Sequence, residues 1–179
     1  MPIACLALLH ALVDSVATFI EPLWPGLRES RSLSEGEFFL LQAVAAVAPN
    51  FSQIVFGFVR DRLESRFLLW LAPLVATVCL TSLGWIESTG ALAVLLATGY
   101  VAVGGFHPEA VVRAGALLPG QRTRALSLFL FQIVSFVLSI IAAFSWANIK
   151  VSKIFSRLAW AFQFAGPFLV FFAPLSLFV

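Results

Sequence analysis

Charge is what this chain has least of. Charged residues make up 11% of its 179 positions against 61% apolar, and the mean hydropathy is +1.01. A soluble domain carries about a quarter charged and roughly 45–50% apolar residues. The composition therefore excludes an ordinary water-soluble domain, although length alone would suggest one. The chain reads as an integral membrane protein, with the lipid bilayer as its first partner. Basic residues are few and scattered, and the net charge is only +2. No basic cluster is dense enough to bind phosphates, which excludes nucleic acid as a partner. Cysteine is almost missing: Cys5 and Cys79 both fall inside apolar runs. That excludes a disulfide framework and a cysteine metal motif, and leaves two small apolar residues. No basic stretch precedes the first apolar run and no small-residue cleavage site follows it, so it is expected to be retained as a helix.

What is there is a succession of apolar runs. They cover residues 3–24, 38–59, 67–86, 91–117, a fifth ending near residue 146 and a sixth ending at residue 179. Each is close to the ~20 residues that a helix needs to cross the hydrocarbon core. Six transmembrane helices in an all-α membrane protein is the expectation. Arginine in the short loops sets orientation. Arg60, Arg62 and Arg66 follow the second span, and Arg113, Arg122 and Arg124 surround the end of the fourth, whereas the link after the third has no basic residue. A multi-pass protein of the cell (plasma or inner) membrane with both termini cytoplasmic follows. One loop disagrees: Lys150, Lys153 and Arg157 would then lie outside. Every acidic residue lies at or before Glu109 and both lysines lie after Asn148, so the last third differs in kind from the rest.

Polar groups at membrane depth are costly and are kept where they are used. In the first span His10, Asp14 and Glu21 fall within about 40° of one another at 100° per residue, which makes one polar stripe. The stripe faces protein or water. It is read as a line of protonatable groups, or, for Glu21, as a solvated interfacial carboxylate. The second span carries Asn50 and Gln53 on one face and Pro49 within it; these line a cavity or bond a neighbouring helix. The fourth carries Gly104, Gly105, Phe106, His107, Pro108 and Glu109 in succession. Its glycines allow close approach, and Pro108 deprives the carbonyl of residue 104 of its helical donor. His107 and Glu109 point about 200° apart, so they serve different faces. Glu109 can pair with Arg113 at i,i+4. A metalloenzyme is not expected, because no two histidines share a helix in metal-binding spacing. No cofactor and no metal is implied.

Two segments carry a resemblance. Gly57, Asp61, Arg62 and Arg66 resemble the helix-2/3 loop signature of the major facilitator superfamily, with Glu64 and Ser65 standing where that signature has a glycine and a basic residue. His10 with Asp14, Gln53 with Gly57, the segment Phe106-His107-Pro108-Glu109, and Leu126-Ser127-Leu128-Phe129 resemble the fosmidomycin-resistance type of drug exporter within it. The resemblance covers residues 1–132; residues 133–179 diverge, with no glycine between residues 133 and 147. It implies one six-helix half, a 3+3 repeat, of a major facilitator fold, with the second half missing or supplied by a second copy. The implied activity is proton-coupled efflux of a small-molecule substrate such as an antibiotic, that is, an antiporter and not an enzyme. Asp14, His10, His107, Glu109, Glu21, Asn50 and Gln53 would serve proton coupling or the substrate cavity. Gly57, Asp61, Arg62 and Arg66 would serve the cytoplasmic gate. The rival reading is a truncated membrane remnant or interaction protein that does not transport.

Overall fold

The computed structural model describes residues 2–62, 67–117 and 120–130. Arg66, the fifth span beyond residue 130 and the whole sixth span lie outside the described residues. Within them the fold is all-helical, in the order α1 (Pro2–Thr18), a 3-10 turn (Glu21–Leu23), α2 (Trp24–Ser30), α3 (Glu35–Arg62), α4 (Phe67–Ser82), a second 3-10 turn (Leu83–Trp85), α5 (Thr89–Leu117) and α6 (Arg122–Leu130). Four stretches are long and apolar enough to cross a membrane: Ile3–Ser30, Glu35–Arg62, Phe67–Trp85 and Thr89–Leu117.

The first stretch runs six residues further than its apolar pattern suggests. The reason is where its prolines fall. Pro22 and Pro25 each occupy the first or second position of a new helical element. The missing N–H costs nothing there, so each proline restarts the helix instead of ending it. The chain then reverses through Ser32, whose φ of 49° is left-handed. It enters α3 through a reciprocal cap. The Ser34 hydroxyl accepts from the Glu37 N–H at 3.3 Å, and the Ser34 N–H donates to the Glu37 carboxylate at 3.0 Å. Two of the donors that a helix start leaves without partners are thereby satisfied.

Helix α5 is the centre of the bundle, packed against α3, α4, α1 and α6. Lipid is as apolar as leucine, so helix association inside a bilayer depends on close packing and interhelical bonds more than on escape from water. The small residues of α5 supply that closeness. A Cβ on Gly99 would lie 2.6 Å from the Leu80 side chain of α4. One on Gly104 would run into the Ser52 hydroxyl and the Pro49 carbonyl of α3, and one on Gly105 would lie 3.0 Å from the Phe56 ring. Hydroxyls on the apolar helices bond their own backbone: Ser15, Thr81 and Thr98 donate to carbonyls one turn back at 2.6–2.8 Å. This satisfies hydroxyls that lipid cannot.

Two interhelical bonds tie the ends of α1 and α2. The Tyr100 hydroxyl donates to the Ala17 carbonyl at 2.8 Å, taking up an acceptor in the last turn of α1. Arg31 donates to the Gly84 carbonyl at 2.7 Å, joining the loop after α2 to the turn after α4.

Candidate functional site

The opposed directions of His107 and Glu109 on α5 produce two separate polar clusters. His107 faces α1 and Glu109 faces α3.

In the first cluster Asp14 lies between two imidazoles. His107 Nε2 is 3.2 Å from Asp14 Oδ1, and His10 Nε2, one turn back on α1, is 3.4 Å from Asp14 Oδ2. His10 is 1% exposed and Asp14 8%. Phe106 is fully buried; its ring stacks on His10 at 6.2 Å and meets His107 edge-on at 5.7 Å. Apolar packing thus closes one side of the cluster.

Hydrogen bonding decides where one proton must be. His107 Nδ1 lies 2.7 Å from the Val103 carbonyl, one turn back on the same helix. A carbonyl only accepts, so Nδ1 carries the hydrogen. In a neutral ring Nε2 would then present a lone pair to a carboxylate oxygen 3.2 Å away. Two acceptors do not bond. The contact holds together only with a proton between them, whether the pair is written as imidazolium with carboxylate or as imidazole with carboxylic acid. Asp14 and His107 therefore form a one-proton pair that links α1 to α5. The three groups lie within 4.8 Å of one another, close enough to be weighed as cation ligands. The carboxylate oxygens are divided between the two rings instead of converging on one point, an arrangement suited to proton sharing.

The second cluster is an ion triad at the Arg62 end of α3. Glu109, 1% exposed, accepts from Arg113 Nε at 2.9 Å through Oε1, and its Oε2 meets Arg60 Nε. Neither Arg60 Nε nor Glu109 Oε2 has another partner among the described residues. The i,i+4 spacing made the Arg113 pair legible. Arg60 was missed as a site residue. Its one visible signal was a third basic residue beside Asp61 and Arg62, and nothing in a single sequence says that it crosses to α5.

The remaining candidates lie apart from both clusters. Asn50 is exposed and its amide donates to the Ala46 carbonyl at 2.7 Å; Gln53 is exposed on the same helix. Gly57 has nothing within 4 Å of the place a Cβ would take, and Asp61 and Arg62 are exposed at the end of α3. Glu21 is exposed at the mouth of a cleft between α1, α3 and α5. Tyr100, the sole tyrosine, also went unremarked in the sequence, although a phenol hydroxyl in an apolar span has to find an acceptor. Comparison with protein-family models, with curated proteins and with solved structures gives no match.

Proposed function

We propose that this chain is one half-bundle of a proton-coupled small-molecule exporter of the major facilitator kind, built from six transmembrane helices. The observation that carries the reading is the one-proton pair between Asp14 and His107, set among apolar side chains and bridging two helices. Removing that proton leaves a buried carboxylate facing a lone pair, which is costly in a medium of low dielectric. Proton release is therefore tied to separation of α1 from α5 or to entry of water or substrate between them. An antiporter needs that property: a group that holds a proton in one state of the bundle and exchanges it in another. Transporters place such groups near the bilayer midplane.

The roles follow from position. Asp14 carries the proton with His107, and His10 orients and helps neutralise the carboxylate. The Arg60–Glu109–Arg113 triad holds α3 against α5 at the end where Asp61 and Arg62 are presented to a partner body, so it serves the gate and not the cavity. Gly57, open on its outer side, allows that partner close. Asn50 and Gln53, exposed on α3, would line the surface shared with that partner body.

The test is transport driven by an imposed pH gradient in proteoliposomes, with a panel of phosphonate antibiotics and organic amines as substrates. Asp14→Asn is expected to abolish gradient-driven flux while the inserted amount of protein is unchanged. Undiminished flux would refute the coupling role. No flux in the wild type with any substrate would favour the non-transporting remnant instead.

A further inference from the structure

One cleft stands outside both clusters. It has a volume of about 340 Å³ and is walled by Thr18 and Glu21 from the end of the first span, Trp24 of α2, Gln42 of α3 and Tyr100 of α5. That volume is at the lower end of the range of small-molecule sites. The Thr18 hydroxyl on the cleft wall donates to the backbone carbonyl of Asp14, one turn back, at 2.7 Å. Glu21 lies seven residues beyond Asp14, past the end of α1 at Thr18.

The walls have a definite chemistry. Among the described residues Glu21 is the one charged residue lining the cleft, and none of their cationic or donor side chains pairs with it. Two aromatic rings accompany it, and both are held in place. Trp24 is 4% exposed and packs edge-on against Phe38 at 5.9 Å. Tyr100 is 5% exposed, with its hydroxyl committed to the Ala17 carbonyl. A carboxylate with no partner among the described residues, beside two fixed aromatic side chains, is a combination that recognises ammonium groups. Charge supplies the long-range attraction, and the aromatic side chains add to it as the cation loses water. Gln42 and Thr18 offer neutral hydrogen-bonding groups on either side. None of the described lining residues is basic, so they favour a cation over phosphonates and carboxylates.

We infer that the cleft bounded by Glu21, Trp24 and Tyr100 binds the charged head of a small organic cation, a quaternary or protonated amine. Calling that ligand the exported substrate rests on the transport reading; the binding itself does not.

The experiment is equilibrium calorimetry on the purified full chain in detergent, with tetraethylammonium as the probe and methylphosphonate as the anionic comparison. Saturable tetraethylammonium binding is expected, weakened at least tenfold in Glu21→Gln and abolished in Gln42→Lys, which places a cation in the cleft. Both positions are exposed, so packing is undisturbed. Glu29→Gln, an exposed carboxylate outside the cleft, should bind as the wild type does. No binding by the wild type, equal binding by Glu21→Gln, or tighter binding of methylphosphonate would each overturn the assignment. Equilibrium binding needs no proton gradient, so these outcomes are independent of the Asp14→Asn transport result.

Discussion

Neutralising Glu109 removes the one carboxylate that two arginines share, and its cost can be bounded from the structure. Truncating one partner of a fully buried ion pair costs about 3–5 kcal/mol, whereas an exposed pair contributes about 0.2–1 kcal/mol. The Glu109 side chain is 1% exposed, but Arg60 is 17% and Arg113 31% exposed. After Glu109→Gln both guanidiniums retain a route to water, so the buried-pair figure must be discounted. Glutamine also still accepts one bond. About 2 kcal/mol is the expected loss, measured as the shift in SDS-driven unfolding in mixed micelles followed by far-UV circular dichroism. Arg60→Met alone should cost less, because Arg113 still holds Oε1. The decisive quantity is the double variant Glu109→Gln with Arg60→Met. It should cost at least about 1 kcal/mol less than the sum of the singles, because neither partner is then left buried without the other. Additive losses, or a Glu109→Gln effect below about 0.5 kcal/mol, would show that the triad does not fasten α3 to α5.

Three further outcomes test the packing and the cap. Gly104→Leu drives a side chain into the Ser52 hydroxyl and the rigid Pro49 backbone, and should cost at least about 1–3 kcal/mol in the same unfolding assay. Gly57→Ala meets nothing within 4 Å, and should be neutral or stabilising by up to about 1 kcal/mol. Ser34→Ala removes the reciprocal cap of α3 and should cost about 1 kcal/mol, with increased backbone hydrogen exchange confined to the first turn of that helix.

Much of this was legible because helices obey simple arithmetic. The 40° stripe of His10, Asp14 and Glu21 and the 200° divergence of His107 from Glu109 each assume one unbroken helix. The divergence holds, with α5 splitting its two polar residues between α1 and α3; the stripe holds for His10 and Asp14 alone, because α1 ends at Thr18 and Glu21 opens a new 3-10 turn. The glycines of α5 likewise announced close approach. What could not be read was which helix approaches. That Arg60 and not Asp61 reaches Glu109 depends on the rotation of α3 against α5, which is set by Gly104 receiving Ser52 and Pro49. The extension of the first span to Ser30 was hidden for another reason. Prolines near a polar loop look like terminators until their positions in the helical turn are known. The Ser34–Glu37 cap was written plainly in the sequence and is a local signature that needed no tertiary information.

The Arg31 bond to Gly84 has a mechanical meaning. It joins the loops at one end of the bundle through a charge-to-carbonyl contact, and the Arg60–Glu109–Arg113 triad fastens the other end. Helix α3 spans about 38 Å between Glu35 and Arg60 with Pro49 inside it, so a bend of about 10° at Pro49 would sweep its far end through about 3 Å. That displacement is enough to separate a charge-assisted hydrogen bond at the far end. A bend at Pro49 would thus open the triad while leaving the Arg31–Gly84 bond in place.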